Sequence, residues 1–317
     1  MLVVDLHADT IARLLYEGGN FDHNSYMIDL EKLKKGHYLL QNLALFTYRE
    51  GLEVPEKTTM NLVDKYFEVL EKYPDDVAGV LRFEDIKKNY ENHKISLLLT
   101  LEDGGVVFND LSMLRNYYRL GVRMIALTWN FFNGIGYPNV KGGDIYHIEK
   151  EKGLTEFGLA YIKEMERLGI IIDVSHLGDK GFWDVYHNTT KPFVASHSNA
   201  REVCGVARNL DDEMIKALSL RGGVIGINYC ATFLKDGAKI SRIEDMIKHI
   251  KHLKKVGGID CIALGSDFDG IDGELELKDA SYLPKLEKAL YDEGFKKEEV
   301  AKIFYQNALR VYKEVLK

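Results

Sequence analysis

Imidazole and carboxylate side chains recur in this chain at the ends of apolar runs, where metal or proton-transfer chemistry could be housed. His7 and Asp9 stand two apart in VVDLHADT. At a strand end, residues i and i+2 share a face, so both can reach one ion. Imidazole nitrogen with carboxylate oxygen suits zinc or a similar divalent metal, although such a pair alone is more often a hydrogen-bonded His–Asp couple. Glu102 closes the apolar run ISLLLTLE. A bare carboxylate there is costly and must be paired, ligated or protonated; Asp103 is an equal claimant for the role. His176 ends IIIDVSH and His197 ends PFVASH, and each alone fits a hydrogen-bonded core histidine as well as a ligand. Together, His7, Asp9, Glu102, His176 and His197 fit two adjacent metals, with a bridging carboxylate holding the ions ~3.5–4 Å apart around a hydroxide. The remaining histidines fall in helical or loop stretches; His249 and His252, at i, i+3 spacing, lack a third ligand.

The elements that must position these residues recur as a unit, a short β-branched apolar run followed by a helical pattern. Strands are expected at Leu2–His7, Tyr38–Thr47, Ile95–Leu101, Met124–Thr128, Ile170–Ser175, Pro192–Ser196, Gly223–Asn228 and Cys261–Ser266. Runs that are apolar throughout are those of parallel strands buried on both faces. Amphipathic helices are expected at Thr59–Lys72, at Thr155–Leu168 and at Ser241–Val256, the last with Ser241 as N-cap and Gly257-Gly258 as its stop. This pattern predicts an α/β fold, a (β/α)8 TIM-like barrel of the metal-dependent hydrolase type, as one domain over residues 1–317. Nearly every expected strand ends in a polar group: His7 and Asp9, Glu102 and Asp103, Trp129 and Asn130, His176, His197, Asn228, and Asp267 with Asp269. A barrel gathers all those ends around one mouth, where barrel active sites lie.

Bulk properties narrow the class. The 317 residues carry 42 Lys+Arg against 49 Asp+Glu, a net charge of −7 with no basic block, which argues against a nucleic-acid partner. Three cysteines without a CxxC pair suggest no disulfide framework and a reducing, cytoplasmic setting. No apolar run approaches the ~18 residues of a membrane span, and the amino terminus lacks the pattern of a secretory signal.

The motifs DLHADT, LEDG, GVRMIALTWN, GLTEFGLAYIKEMERLGIIIDVSH, ASHSNARE, ARNLDDEMI, GSDFDG and QNALRVY, in this order, cover essentially the whole chain. On them the chain resembles the membrane dipeptidase (renal-dipeptidase-like) family of zinc peptidases, in its soluble prokaryotic branch. The resemblance implies a zinc-dependent dipeptidase on a distorted barrel with two Zn2+, a small dipeptide as substrate, no membrane partner, and a homodimer as the assembly. It implies that His7 and Asp9 bind one metal, His176 and His197 the other, and that Glu102 bridges them. A metal-bridging hydroxide would attack the peptide carbonyl, with Glu102 and Asp267 in the catalytic machinery. Arg208 would grip the substrate's carboxylate, a role that spacing alone would replace by a surface ion pair with Asp211 or Asp212. Asp267, ahead of Asp269, would handle the proton near the scissile bond. The chain departs from the mammalian-type pattern at Trp129, where those members carry a histidine that steadies the tetrahedral intermediate; a zinc ion or Asn130 is the nearest substitute. It departs again at Val206, where many members have a histidine. Two alternatives remain at this stage: a carbamylated-lysine amidohydrolase of the same superfamily, disfavoured because Trp129-Asn130 stands where its lysine belongs, and a metal-binding barrel with impaired catalysis.

Overall fold

A computed structural model describes residues 1–48, 55–140 and 143–317. Its strands are β1 (Val3–Asp5), β2 (Tyr38–Phe46), β3 (Val77–Gly79), β4 (Ile95–Glu102), β5 (Val122–Ala126), β6 (Ile171–Asp173), β7 (Val194–Ser198), β8 (Val224–Ile227), β9 (Ile240–Ser241), β10 (Ile262–Leu264) and β11 (Glu274–Leu275). Eight of them run parallel in the order β2–β1–β10–β8–β7–β6–β5–β4, and β4 closes back on β2 from Leu40↔Ser96 to Phe46↔Glu102. The expected (β/α)8 barrel is therefore what forms. Each barrel strand lies in one of the expected apolar runs or overlaps it, with shifted ends: β7 extends through His197 to Ser198, and β5 starts at Val122.

One buried cluster explains why the sheet closes. Val4 and Leu6, Leu40, Leu98, Met124, Ile171, Val194, Val224 and Ala263 meet in it, at least one residue from every barrel strand, so it fills the barrel interior. The C-terminal helix Asn307–Val315 adds Ala308, Val311, Tyr312 and Val315 to the same cluster, and the Tyr312 hydroxyl hydrogen-bonds Asn42 Oδ1 of β2 at 2.9 Å. The other buried cluster joins the alternate strand residues, such as Leu97, Leu99, Ile125 and Ile225, to the surrounding helices. Chemistry is thereby left to the opposite, C-terminal end of the strands.

The expected helices form at Pro55–Lys72, Glu156–Leu168 and Ile243–Val256. Thr155 caps the second, its Oγ1 accepting from Gly158 N at 2.9 Å. Gly169 ends it at φ +81°, a left-handed position where a Cβ would also stand 2.8 Å from the Val315 carbonyl. The cap expected from Ser241 is not made. Ser241 belongs to β9, paired with Leu275 of β11, and the N-cap is Arg242. The Ile243 N–H is taken instead by Glu276, distant in sequence. Three short strands were not expected: β9 and β11, which pair with each other, and β3, which pairs with the first residues of β4 where β5 does not reach. Among the described residues no helix is long and apolar enough to cross a membrane.

Candidate metal centre

The strand ends bring the five expected ligands together. His7 Nε2 lies 3.3 Å from Asp9 Oδ2, 3.3 Å from Glu102 Oε2 and 3.8 Å from Asp267 Oδ1. His176 Nε2 lies 3.0 Å from Glu102 Oε1 and 3.0 Å from His197 Nε2, which is itself 3.6 Å from Glu102 Oε1. The two carboxylate oxygens of Glu102 thus face two different sets of donors. All five residues are buried. Asp103, the rival to Glu102, is turned to the loop backbone, accepting from Gly105 N at 2.9 Å. His249 and His252 are spent elsewhere, the first on Ala200 N and the Leu234 carbonyl, the second on Asp212.

Several supporting contacts escaped the sequence reading. Ser196 donates to Asp173 and therefore accepts from His197 Nδ1 at 2.7 Å, while Asn130 Oδ1 accepts from His176 Nδ1 at 2.7 Å. Both imidazoles then carry their lone pairs on Nε2, towards the centre, as metal-binding histidines do when an outer partner fixes the tautomer. Asp173 Oδ1 also takes the N–H groups of Ser175 and Ser196, and Asp5 Oδ1 takes those of His7 and Ser266. These two buried carboxylates tie neighbouring strand ends together directly beneath the histidines. The sequence signal was available: an Asp two or three residues ahead of the histidine in DLH and DVSH, and a Ser immediately before His197. The backbone is left-handed at His176 (φ +68°), Asp267 (+61°) and Asp269 (+68°), conformations costing of order 1–3 kcal/mol each that cluster where function holds them.

The electrostatics ask for a cation. Burial pushes Glu102 up to about 8 and Asp267 up to about 6, with the neighbouring Asp9 carboxylate adding to both. Burial opposes charge on His7, but Glu102 and Asp9 outweigh it and raise His7 well above its ordinary value. His176 and His197 are held far below theirs, by burial first and then by the positive charge of Arg208 and His7. Two neutral imidazoles thus direct lone pairs at each other across 3.0 Å, while Asp9, Glu102 and Asp267 crowd a single imidazole. Among the described residues, His7 Nε2 and Asp9 Oδ1 are buried with no hydrogen-bond partner. A Cβ on Gly270 would fall 2.1 Å from Asp9 Oδ2 and 2.7 Å from Asp267 Oδ1, so glycine keeps this space open. Donors at ~2.1 Å from a tetrahedral metal stand roughly 3.4 Å apart, a spacing matched by the 3.0–3.6 Å between His176, His197, Glu102, His7 and Asp9. The residues fit a divalent cation.

A cavity of about 790 Å³ opens over this cluster, lined by Glu102, Trp129, His176, Arg208 and Asp267 among others. Arg208 is not the surface residue its spacing suggested: it is 2% exposed, donates to the His197 carbonyl at 3.1 Å, and has no partner for Nε among the described residues. Asp179 takes the bidentate ion pair, from Arg201. A buried guanidinium with no carboxylate partner among the described residues can receive an anionic group. Asp267 Oδ2 accepts from Asn228 Nδ2 at 2.8 Å, which leaves Oδ1 towards the histidines. Asp269 is occupied on both oxygens, by Thr10 Oγ1 at 2.6 Å and Met27 N at 2.7 Å. Asn130, offered above as an oxyanion donor, is engaged through Oδ1 in holding His176.

A closed parallel barrel with histidines and carboxylates gathered at its mouth is the architecture of a metal-dependent hydrolase. The particular family follows from the chain as a whole: residues 1–317 match the family model described as membrane dipeptidase, peptidase family M19, and the protein belongs to that family of metallopeptidases. It is 37% identical over 245 residues to an uncharacterized protein from the pqqA 5′ region of Klebsiella pneumoniae, covering 75% of this chain and 90% of that one. It is 31% identical over 320 residues to an uncharacterized dipeptidase of Schizosaccharomyces pombe, covering 96% of this chain and 75% of that one. Among solved structures, a metallopeptidase of Rhodobacter sphaeroides, liganded with a phosphinate mimic of the dipeptide L-Ala-D-Ala, superposes with a TM-score of 0.90 at 23% identity over 99% of each chain. That likeness shows the shared fold.

Proposed function

We propose that the protein is a binuclear zinc dipeptidase, with His7 and Asp9 holding one ion, His176 and His197 the other, and Glu102 between them. The observation that carries this reading is the split of Glu102: one oxygen faces the His7–Asp9 pair and the other the His176–His197 pair. When bound, the metals supply Lewis acidity towards the peptide carbonyl and lower the pKa of water to about 7, so that a nucleophile is available at neutral pH. The chain's own residues do the rest. Arg208 offers the C-terminal carboxylate of a dipeptide a buried, planar donor fork. Asp267, with its ionisation near 6, is a carboxylate at neutral pH. Its Oδ1 takes the proton of the attacking water and returns it to the departing amine. Asn228 holds Oδ2 so that Oδ1 keeps this direction. Asn130, Ser196 and Asp173 orient the two imidazoles. The relative crystallised with a dipeptide mimic supports the substrate class, and three free cysteines suit a reducing cytoplasm.

Zinc-loaded protein is expected to hydrolyse members of a small dipeptide panel. Asp267→Asn should lower kcat/KM by ~10²-fold or more with its metal content unchanged; near-wild-type turnover by that variant would remove Asp267 from the chemistry.

A further inference from the structure

The cavity over the metal centre has two unlike halves. Around the barrel, Arg208, Cys230–Phe233 and Asp267–Gly273 occupy the mouth beyond β7, β8 and β10, whereas Phe46 ends β2 and Trp129 follows β5. In the closed strand order β2 stands four steps from β7, and β5 four steps from β10. The aromatic pair therefore lies across the mouth from Arg208 and Asp267. The Phe46 and Trp129 ring centroids are 5.1 Å apart, and Trp129 is 6.1 Å from the His176 ring. Tyr48 and Phe131 brace the indole edge-on, at 5.5 Å and 5.9 Å. Both lining rings are only half-buried, and Trp129 packs against the rings of Phe46, Tyr48, Phe131 and His176. An aromatic wall that stays half-exposed beside a cluster of charged and imidazole groups gains most from an apolar occupant. Of the charged residues that line the cavity, Arg13 is paired with Glu17 and donates to the Asp269 carbonyl.

We infer that Phe46 and Trp129 form the subsite for an apolar side chain on the amino-terminal residue of the substrate, an inference that rests on the dipeptidase reading. A dipeptide anchored by its carboxylate at Arg208 presents its carbonyl to the central histidines and must carry its amino-terminal residue beyond them. With the amine at Asp267, the side chain of that residue is directed to β2 and β5. Trp129, where mammalian-type relatives place a histidine, thus acts here on specificity.

Two measurements test this. Dipeptides sharing a C-terminal residue and differing at the first should show kcat/KM about tenfold or more higher for Leu or Phe than for Asp or Lys, and Trp129→Ala should collapse that ratio with metal content intact. Trp129 and Trp183 are the chain's two tryptophans, so in a Trp183→Phe background the emission of Trp129 reports occupancy without turnover. Zinc-loaded protein titrated with leucinamide should change that emission at concentrations about tenfold below aspartamide or lysinamide. Preference for a lysine side chain, which would make the indole a cation receptor, overturns the inference. So does preference for aspartate, or an unchanged ratio in Trp129→Ala. If no dipeptide is hydrolysed but leucinamide binds selectively at Trp129, the dipeptidase reading falls while the subsite stands.

Discussion

At the residue scale, the centre is defined as much by what is left out as by what is present. Gly270 is the sharpest case: its missing Cβ keeps Asp9 and Asp267 in place. Gly270→Ala should weaken metal binding by about tenfold or more, the scale of lost support around a ligand shell, while the denaturation midpoint of the metal-free protein stays near wild type. Full affinity by calorimetric titration would show that the carboxylates move aside freely. That the five candidate ligands would meet was legible in the sequence because each falls at the end of an apolar run, a phase that a barrel converts into proximity. Asp5, Asp173 and Ser196 were not singled out, since their roles depend on which backbone N–H groups and which imidazole nitrogen come within reach, and that is set by strand register. Spacing alone would place Arg208 at the surface for a similar reason, and only the family resemblance assigned it to the substrate. Its neighbours Asp211 and Asp212 are close in sequence, but the chain turns it inward onto the His197 carbonyl.

At the element scale, the strand ends carry the candidate ligands and the C-terminal helix closes the far end of the barrel. The Tyr312–Asn42 hydrogen bond is buried and spans the barrel floor. Tyr312→Phe removes the hydroxyl and strands Asn42 Oδ1, so urea unfolding should give a stability lower by about 1–3 kcal/mol with an unchanged slope. A loss within error would mean that water or another group satisfies Asn42. Hydrophobic period and length were enough to place the eight barrel strands, because each lies in or overlaps a longer, mostly apolar run, even where the strand itself has three residues. They were not enough for β3, β9 and β11, two or three residues each, whose pairing is decided by what lies opposite. The Ser241 cap failed in the same way: a local signal lost to a strand pairing and to Glu276 approaching from a distant loop.

At the scale of the whole molecule, one buried histidine links two walls of the cavity. His249 Nδ1 accepts from Ala200 N in the loop after β7, and Nε2 donates to the Leu234 carbonyl in the helical turn after β8. Burial lowers its pKa from 6.5 to about 4. The unfolded chain therefore takes up the proton first on acidification. The stability carried by the neutral form is complete above about pH 6.5 and is lost as pH falls towards 4, to a total of roughly 3 kcal/mol. Subtracting the stability–pH curve of His249→Gln from that of wild type should isolate this fall; parallel curves from pH 7 to 4 would show that His249 is protonated without strain.

The central claim is that two metals share Glu102 at the barrel mouth. Crystals grown with zinc and measured on both sides of the zinc absorption edge test it directly. The account predicts two anomalous peaks, one against His7 and Asp9 and one against His176 and His197, with Glu102 touching both. A single peak, or peaks held by other residues, would contradict it.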